Sequence, residues 1–474
     1  MSLPNTHYGP EAISVILKGK KNLFFDGIGG VSMSALAHVS HLRGYKVSGY
    51  DRTPSEITKK LEDLGIEVYY EADASHIRHT DALIYTVAMP EDNPEYLCAK
   101  KYGIPRISRA DYLGWLMTGY ERRIGVSGTH GKSTTTGMLA RMLSHAGVDP
   151  TVLCGAPLKE TGTVDLIGGT QYFAFEACEY MDSFLDFRPT TTIILNIELD
   201  HVDYFRSLLQ MRESFTKFAN IAGEDGYVVL NLDDPNCQKI VDDCVSHHVT
   251  FGRNNKKADY SSANENLNGG CPEFDVLYKG EFLTHVALKI PGEHNISNAL
   301  GALAACCANG IPAETAAEGL SEFEGIGRRM EKLGTMENGA FVYSDYAHHP
   351  TEIAATLKAA RSVCPGKLRV IFQPHTYSRT SALFTDFVRA FASSPADEVV
   401  LLDIYAARET NEFGVTSDKL ADAIAAAGKP SFKAADFASA ADYMKENAGE
   451  GDIVLVMGAG DVIHVADSLL ETKK

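Results

Sequence analysis

Short apolar runs alternate with helix-like segments along most of the chain. The run "NLFF" at 22–25 is followed by a glycine turn, by the helical pattern "MSALAHVSHLRG", and by a second apolar run, "YKVSGY". Apolar runs of this length, bounded by turn residues, predict buried strands, and their alternation with helices predicts parallel sheets. We therefore expect an α/β protein whose sheets carry helices on both faces.

The same alternation continues through two further blocks. Additional strands are predicted at "ALIYTVA", "RIGVS", "QYFAFEA", "TTIILNI", "YVVLN", "AFVYSD", "LRVIFQ", "EVVLLD" and "DIVLVM". A chain of 474 residues is too long for one ordinary core. We expect three domains, at 1–118, 119–329 and 330–474. The polar segment 253–274 is expected to form a loop or hairpin within the second.

Composition and charge exclude several classes of function. The formal net charge is −18 and no basic block is present, which argues against nucleic acid as a partner. No apolar run approaches the roughly 20 residues of a membrane helix, and the first residues lack the pattern of a secretory signal. Nine cysteines occur without a CxxC pair, so we expect a reduced, cytoplasmic protein.

A glycine-rich loop joins the predicted strand "RIGVS" to a helix that begins "KSTTTGML". The loop contains the Gly-Lys-Ser of a phosphate loop, although Val126 stands where the usual first glycine would be. Strand, glycine turn and helix N-terminus together suit the phosphates of ATP or GTP. Candidate nucleotide ligands are Gly128, Thr129, His130, Gly131, Lys132 and Ser133. The alternatives are an exposed lysine in a glycine turn and, for His130, a simple spacer.

Oxygen-bearing side chains follow the next two predicted strands of this block. Glu176, with Glu179 and Asp182 nearby, follows "QYFAF"; Asn196, Glu198, Asp200 and His201 follow "TTIIL". Oxygen ligands suit Mg²⁺, and the carboxyl ends of parallel strands meet at one edge of a sheet. The sequence therefore favours a magnesium site beside the phosphate loop. A solvated acidic loop is the alternative.

Polar clusters also mark the start of a later helix and two strand ends of the third block. In "PGEHNISN", His294, Asn295 and Asn298 can cap the helix or bind a ligand. The third block offers Asp345, Tyr346, His348 and His349, and then His375 and Arg379. Zinc is one interpretation, but no cysteine accompanies these histidines. Arginine for a carboxylate and Asp345 for an ammonium fit a small zwitterion better.

The first block contains a partial dinucleotide fingerprint. "GIGG" follows the first strand, and Asp51 ends the second strand about 20 residues later. Ser32 stands at the position of the third glycine. Because the turn and the helix N-terminus remain, diphosphate binding is still expected here. Gly27, Gly29, Gly30 and Asp51 are the candidate contacts.

These motifs together resemble the Mur ligases, the ATP-dependent amino-acid ligases of peptidoglycan assembly. The resemblance is carried by "GTHGKS", "PGEHNISNA", "DYAHHPTE" and "FQPHTYSRT", and extends through "GIGGVSMS", "EACEYMDSFL", "GIGRRME" and "MGAGDV". It implies a Rossmann-like first domain that holds a UDP-sugar, a central ATPase-type domain with a phosphate loop, and a Rossmann-like third domain that holds the amino acid. Ser32 and Ser133 depart from the residues more common in the family, glycine and threonine.

The resemblance also implies roles for the candidate residues. L-Alanine would be joined to the carboxylate of UDP-N-acetylmuramate through an acyl phosphate, with ATP and Mg²⁺. The implied catalytic residues are Lys132, Glu176, His201, His348 and Arg379, of which Glu176 and His201, with Ser133, would bind Mg²⁺. The implied nucleotide contacts beyond the phosphate loop are His294, Asn295, Asn298, Arg328, Arg329 and Asp345. The implied substrate contacts are Gly27, Gly29, Gly30, Asp51, Tyr346, His348, His375 and Arg379.

Three other functions remain open at this stage. Within the family, the same UDP-sugar could receive a preformed tripeptide, as in cell-wall recycling. The first block alone would suit a nicotinamide oxidoreductase, which leaves the phosphate loop unexplained. A catalytically inactive nucleotide-binding protein would not need Lys132, Glu176 and Asp345. A monomer and a homodimer are equally compatible with the sequence, and Glu176 could also act as the base for the incoming amine.

Overall fold

The computed structural model describes residues 3–202, 204–407 and 409–470. It divides into two compact units. The first unit comprises the chain up to Ile197, Arg212–Thr250 and Gly301–Pro312; the second comprises Glu198–Met211, Phe251–Leu300 and the chain from Ala313 onwards. Within the described ranges, no helix combines the length and apolar character that crossing a membrane would require.

The first unit begins with a five-stranded parallel sheet. Its strands are β1 (Asn22–Asp26), β2 (Lys46–Tyr50), β3 (Glu67–Tyr69), β4 (Ala82–Tyr85) and β5 (Arg106–Ser108), in the order β3-β2-β1-β4-β5. Its helices are α1 (Pro10–Leu17), α2 (Val31–Leu42), α3 (Glu56–Asp63), α4 (Pro94–Tyr102) and α5 (Arg109–Met117), with a 3₁₀ turn at Ala74–Ile77. The central strand β1 runs directly into the "GIGG" loop. This places the loop at the carboxyl edge of the sheet, where ligands of such folds bind.

A second sheet of the first unit carries the phosphate loop. Its strands are β6 (Arg122–Ser127), β7 (Thr151–Leu153), β8 (Asp165–Leu166), β9 (Tyr172–Glu176), β10 (Thr191–Ile194) and β11 (Tyr227–Asn231), in the order β11-β10-β6-β9-β7-β8. The strand pairs are parallel except that β8 runs antiparallel to β7. The helices are α6 (Lys132–His145), α7 (Leu208–Asn220) and α8 (Pro235–Gln238), with 3₁₀ turns at Tyr180–Asp186 and Val241–Asp243. The loop therefore leaves a strand that lies between β9 and β10.

The chain passes into the second unit within β12 (His247–Gly252). Strands β13 (Tyr260–Asn266), β14 (Glu273–Tyr278) and β15 (Glu281–Ala287) follow as antiparallel neighbours. The hairpin expected for the polar segment 253–274 is confirmed, because β13 and the start of β14 lie in it. Helices α9 (His294–Ala308) and α10 (Ala313–Glu322) come next along the chain.

A six-stranded sheet completes the second unit. Its strands are β16 (Glu331–Thr335), β17 (Phe341–Asp345), β18 (Leu368–Phe372), β19 (Glu398–Leu401), β20 (Ser431–Lys433) and β21 (Ile453–Met457), in the order β16-β17-β21-β18-β19-β20. Only β16 is antiparallel to its neighbour. The helices are α11 (Pro350–Ser362), α12 (Tyr377–Ala382), α13 (Phe384–Ala392), α14 (Ser417–Ala426), α15 (Phe437–Asn447) and α16 (Ile463–Leu470). Separate apolar cores fill its two faces, as expected for a parallel sheet covered on both sides.

The α/β prediction is confirmed, and each strand predicted from an apolar run is present. The apolar runs predict no strand at β3, β5, β7, β8, β12, β15, β16 and β20. Of these, β3, β8 and β20 are short and only partly buried, with the sequences "EVY", "DL" and "SFK". All three lie at the edge of a sheet, where one side needs no partner and little apolar surface is covered.

Candidate active site

Two glycines give the phosphate loop its shape. Gly128 has φ +138°, and a Cβ there would lie 3.0 Å from the Cβ of Leu195. Gly131, with φ +88°, immediately precedes helix α6 and provides no side chain to cap it. Both conformations favour glycine. The backbone N–H groups at the start of α6 are thus left for a ligand, as a phosphate site requires.

Asn196, which follows β10, holds the same loop from the neighbouring strand. Its side-chain oxygen accepts a hydrogen bond from the His130 N–H at 2.8 Å, and its amide donates to the His130 carbonyl at 3.0 Å. Its own carbonyl accepts from the N–H of Thr129 at 3.1 Å. Three bonds from one residue therefore fix the middle of the loop. His130 acts here through its backbone, which does not exclude a further role for its ring.

The Lys132 ammonium lies over its own loop. Its Nζ donates to the carbonyl of Gly128 at 2.6 Å and to the carboxylate of Glu179 at 3.1 Å. Burial alone would disfavour the ammonium, but Glu179 raises the pKa of Lys132 above its ordinary value. Lys132 is therefore charged at neutral pH and available to bind phosphate oxygens.

Ser133 and Glu176, two predicted metal ligands, lie on either side of Cys154. The Cys154 thiol contacts the Ser133 carbonyl at 3.5 Å and Glu176 Oε1 at 3.6 Å. The Gly155 N–H also donates to Glu176 Oε1. Among the described residues, neither the Ser133 hydroxyl nor Glu176 Oε2 has a hydrogen-bond partner. A hydroxyl and a carboxylate oxygen left available in this way fit a hard cation such as Mg²⁺.

The third predicted metal ligand, His201, belongs to the second unit. Its backbone is in the left-handed region, with φ +50°. Its carbonyl accepts hydrogen bonds from the N–H groups of Tyr204 and Phe205, which turn the chain sharply after β10. The preceding residue, Asp200, contacts Arg379 within the same unit.

In the first sheet, Asp51 closes the "GIGG" loop. Its carboxylate accepts from the Gly29 N–H at 2.9 Å and from the Thr53 N–H at 3.2 Å. A Cβ on Gly29 would lie 2.8 Å from that carboxylate, so this position requires glycine. Gly27, with φ +84°, and Gly30, which caps α2 with backbone alone, complete the turn. Asp51 thus shapes the predicted diphosphate loop, in addition to any contact with a ligand.

The polar start of helix α9 is internally bonded. Asn295 donates from its amide to the Pro291 carbonyl at 2.8 Å, and Asn298 donates to Asn295 Oδ1 at 3.0 Å. Both asparagines are buried, whereas His294 is exposed. A Cβ on Gly292 would lie 2.6 Å from the His294 ring, which explains the glycine beside it. The asparagine pair therefore ties the first turn of the helix to the Pro-Gly turn before it.

The two arginines before β16 meet the ring of Tyr346. Arg328 lies over this ring at 4.9 Å and donates to the carbonyls of Gly458 at 2.6 Å and Gly460 at 3.2 Å. Arg329 lies 5.5 Å from the same ring and pairs with Glu352 at 3.6 Å. Burial lowers the pKa of Arg328 below its ordinary value. In this state the arginines brace the start of the third sheet.

Asp345, at the end of β17, is buried and satisfied within its own sheet. It accepts hydrogen bonds from the N–H groups of Met330 and Ala347, each at 2.8 Å, and from the Thr356 hydroxyl at 3.1 Å. Burial raises the pKa of Asp345, although Arg329 opposes the shift. Its carboxylate joins the segments before β16, after β17 and on α11, and so positions the histidines that follow.

The structure brings His348, His375 and Arg379 together. The rings of His348 and His375 are 5.8 Å apart, and the ring of Tyr405 stacks on His375 at 5.6 Å. Arg379 Nη1 donates to His375 Nδ1 at 3.2 Å, while its Nη2 and Nε donate to Asp200 at 3.1 and 3.3 Å. An arginine cannot accept, so this nitrogen of His375 carries no proton.

Both imidazoles of this cluster are neutral at physiological pH. Burial and then Arg379 lower the pKa of His375 to about 4. Burial likewise lowers the pKa of His348 to about 4, even though Glu352 opposes the shift. A charged guanidinium beside two neutral imidazoles and tyrosine rings can accept a small carboxylate-bearing ligand.

Three residues hold the site together through contacts that the sequence pattern does not indicate. Asn196 and Asp200 appeared only among several polar candidates, and Glu179 only as a neighbour of Glu176. Their partners lie 66, 179 and 47 positions away in the chain. No periodicity reports such distant pairs, although the position of each residue just after a strand was a usable signal.

Comparison with known proteins agrees with this geometry. The family description "Mur ligase family, catalytic domain" matches residues 24–121, "Mur ligase middle domain" matches 126–306, and "Mur ligase, glutamate ligase domain" matches 328–460. These matches confirm the three-domain architecture.

Individual relatives span almost the whole chain. The UDP-N-acetylmuramate–L-alanine ligase of Acetivibrio thermocellus is 43% identical over 466 residues, which cover 98% of this chain and 99% of that protein. The enzyme of the same name from Clostridium acetobutylicum is 43% identical over 451 residues, or 95% and 97% of the two chains. The crystal structure of UDP-N-acetylmuramate–alanine ligase from Thermotoga maritima matches with a TM-score of 0.80 at 29% identity, over 94% of this chain and 98% of that one.

A murein peptide ligase from Psychrobacter arcticus shares the fold, with a TM-score of 0.72 at 23% identity over 95% of this chain and 98% of that one. The family descriptions, the full-length relatives and the phosphate-loop geometry lead to one conclusion. The chain belongs to the Mur ligase family.

Proposed function

We propose that this chain is the ATP-dependent ligase that joins L-alanine to the carboxylate of UDP-N-acetylmuramate during synthesis of peptidoglycan precursors. The observation that carries the proposal is the 43% identity, over nearly the full length of both chains, to the Acetivibrio thermocellus enzyme of that name. The tripeptide ligase is less favoured, because two tripeptide ligases of known structure are 23% identical over 95% of this chain and 28% identical over 65% of it, against 43% over 98% for the alanine ligase.

The first step is transfer of a phosphoryl group. A carboxylate oxygen of UDP-N-acetylmuramate attacks the γ-phosphorus of ATP, and the bond from that phosphorus to the bridging oxygen breaks. The products are an acyl phosphate and ADP. The ammonium of Lys132 and the N–H groups at the start of α6 offset the negative charge that the γ-phosphoryl oxygens carry in the transition state. The loop held by Asn196 keeps these donors in place before ATP arrives.

Mg²⁺ would be held by the Ser133 hydroxyl and the Glu176 carboxylate, with His201 as the expected third protein ligand. When bound, the ion neutralises phosphate charge and polarises the γ-phosphoryl group. The oxygen donors left available on Ser133 and Glu176 support this assignment. Thr129 and His130 are expected to contact the nucleotide through their side chains, because their backbone N–H groups donate to Asn196.

The second step forms the amide bond. The amine of L-alanine attacks the acyl carbon, the bond from that carbon to the phosphate oxygen breaks, and the amine loses a proton. Arg379 would bind the alanine carboxylate, with His348, His375 and Tyr346 forming the rest of the pocket. Their neutral imidazoles avoid adding positive charge that would repel the amine. Asp345 would act by holding this pocket together.

The remaining assignments follow the same order along the chain. Gly27, Gly29, Gly30 and Asp51 would form the diphosphate loop for the UDP-sugar, and His294, Asn295 and Asn298 the adenine side of ATP. Arg328 and Arg329 would reach the nucleotide phosphates after leaving Tyr346. We place the domain boundaries near 118 and 329 and the protein in the cytoplasm, as a monomer or homodimer.

Phosphate release tests the proposal directly. The purified protein would be mixed with ATP, Mg²⁺, UDP-N-acetylmuramate and L-alanine, with each component omitted in turn. Release that requires all four, with a product heavier by one alanine residue, supports the alanine ligase. Release with an L-alanyl-γ-D-glutamyl-diamino-acid tripeptide in place of L-alanine would instead assign the recycling reaction. Release with neither would refute the ligase assignment.

A further inference from the structure

Arg109 is a mostly buried cation that, among the described residues, forms no direct ion pair with a carboxylate, although Asp186 interacts with it electrostatically. It is the first residue of α5, directly after strand β5, and so lies at the carboxyl edge of the first sheet. Its Nη1 donates to the hydroxyl of Ser32 at 3.0 Å. Within the part of the chain that the structure describes, this is its one side-chain hydrogen bond, and no carboxylate forms an ion pair with it.

Arginines of this protein take both kinds of partner: Arg328 donates to backbone carbonyls, whereas others pair with carboxylates. Arg369 pairs with Glu398 and Asp452, and Arg379 pairs with Asp200. A buried guanidinium with five donors and only a neutral hydroxyl as partner is poorly compensated for the loss of water. Burial accordingly lowers the pKa of Arg109 below its ordinary value, although a guanidinium remains charged at neutral pH. Because the Ser32 hydroxyl accepts from one of its five N–H donors, the guanidinium has donors left to bind an anion such as a phosphate.

Ser32 identifies where that anion would lie. It is the second residue of α2, whose N-cap, Gly30, supplies no side-chain bond. The N–H groups of Gly27 and Ile28 are used by the Tyr50 carbonyl, and that of Gly30 by Gly27. Among the described residues, the backbone N–H groups of Val31, Ser32 and Met33 have no acceptor. These free amides belong to the turn that Arg109 reaches through the Ser32 hydroxyl.

Arg109 also lies toward the phosphate loop. The thiol of Cys178 is close enough to interact electrostatically with Arg109 and, independently, with Lys132. All of these residues belong to the first unit. Arg109 therefore lies between the "GIGG" turn and the lysine that would receive the γ-phosphoryl group. A sugar nucleotide whose reacting carboxylate points at Lys132 would pass along it.

We propose that Arg109 is a substrate-binding residue that contacts the diphosphate of the sugar nucleotide, and that Ser32 orients it. The proposal rests on the proposed function and adds a contact that the motifs do not indicate. It also gives Ser32 a purpose. A glycine at this position would have no hydroxyl to hold the guanidinium.

The test is calorimetric binding of two ligands, UDP and UDP-N-acetylmuramate, to wild type and variants. R109Q is expected to weaken both ligands by about 10- to 100-fold, the usual effect of losing a hydrogen bond to a charged group. The KM for ATP should stay unchanged. R109K keeps the positive charge but lacks the paired N–H donors of the guanidinium, so its affinity for both ligands should lie between those of R109Q and wild type. S32A should weaken the binding of both ligands, but by less than R109Q does.

R43Q is the matched control. Arg43 also belongs to the first unit and also donates to a neutral acceptor near α5, the Leu116 carbonyl at 3.2 Å. The affinity of the R43Q variant for both ligands should equal that of wild type. If R109Q unfolds, R109K and S32A carry the test, because neither removes the charge from the site.

Each other outcome is decisive. Unchanged affinity for UDP in R109Q, R109K and S32A would overturn the proposal. If R109Q binds UDP-N-acetylmuramate more weakly but UDP as tightly as wild type does, Arg109 contacts the sugar or its carboxylate. That result would overturn the proposed diphosphate contact. A wild-type protein that binds UDP but not UDP-N-acetylmuramate would contradict the proposed function and leave the Arg109 comparison intact.

Discussion

Arg379 donates two hydrogen bonds, at 3.1 and 3.3 Å, to one carboxylate oxygen of Asp200. The two side chains are 11% and 10% exposed, so the pair is largely removed from water. Nη1 of the same guanidinium bonds His375, and Arg379 is thus held from two sides. The arginine expected to bind the alanine carboxylate is oriented before the amino acid arrives.

Replacing Asp200 by asparagine should disturb both stability and the use of L-alanine. Removing one partner of a buried pair costs at most about 3–5 kcal/mol in free energy of unfolding. Because Arg379 loses its orientation, we expect the KM for L-alanine to rise by about tenfold, equivalent to about 1.4 kcal/mol, with the KM for ATP unchanged. The control D386N breaks the exposed pair between Asp386 and Arg389 and should change neither quantity. Equal effects of both variants would contradict the orienting role.

Asp200 should also contribute to the dependence of stability on pH. Burial alone would raise its pKa, but Arg379, His201 and His348 together hold the pKa of Asp200 below its ordinary value. A carboxylate whose pKa is lower in the folded state stabilises the protein at pH values above its unfolded pKa of about 4. This stabilisation is lost as the pH falls toward the folded pKa. Between about pH 5 and pH 3, where carboxylates titrate, urea unfolding of D200N should therefore show a shallower loss of stability than that of wild type. An identical slope would contradict the depressed pKa.

His375 is expected to titrate far below an exposed histidine. Burial and Arg379 lower the pKa of His375 to about 4, whereas an unfolded histidine has a pKa of about 6.5. Between these values the unfolded chain binds more protons, so the contribution of His375 makes stability rise with pH. In R379Q the pKa should rise toward 6.5, because one of the two causes is removed. A histidine ring titration by NMR measures this directly, and an unchanged pKa in R379Q would exclude the arginine as a cause.

Lys132 and Glu179 allow stability to be separated from catalysis. K132A leaves the buried carboxylate of Glu179 without its cation and should cost about 3–5 kcal/mol of unfolding free energy. The double variant K132A/E179Q removes both charges and should recover most of that loss. Ligase activity should fall by about 100-fold or more in both, since removing one such donor in an active site has that effect. A double variant no more stable than K132A would show that the pair is not coupled.

Replacing Asn196 should raise the KM for ATP without changing the KM for L-alanine. N196A removes the two side-chain bonds to His130 and loosens the loop, so we expect the KM for ATP to rise by about tenfold, or about 1.4 kcal/mol. N236A is the control, because the Asn236 amide donates to the Ile197 carbonyl at 2.8 Å on the same strand end but not to the loop. Steady-state kinetics distinguish the two. If N236A raises the KM for ATP by as much as N196A does, the effect of N196A is general destabilisation and not a loosened loop.

The sequence predicted the elements and the strand ends well, because both depend on local patterns. Buried strands require apolar runs, and a glycine before a helix start, such as Gly131, indicates the turn it makes. The rule that ligands gather at carboxyl strand ends pointed to Glu176 and Asp345, and the structure has both at strand ends, Glu176 partly buried and Asp345 buried.

Pairings between distant residues could not be predicted in this way. Asp51 is predicted as a contact of the diphosphate, and the sequence does not indicate that its carboxylate accepts from the Gly29 N–H, 22 positions earlier. Arg109 stands at an ordinary helix start, and only the folded chain shows that Ser32 is its partner. Such pairs depend on which strands become neighbours, and several strand orders satisfy the same apolar pattern.

The acyl phosphate is the central chemical claim, and isotope transfer tests it most directly. UDP-N-acetylmuramate labelled with ¹⁸O in its carboxylate would be incubated with ATP, Mg²⁺, L-alanine and the protein, and the products analysed by mass spectrometry. The account predicts one ¹⁸O in the released inorganic phosphate, with ADP as the other product. Label in AMP, together with pyrophosphate, or unlabelled phosphate alongside a completed amide, would contradict it.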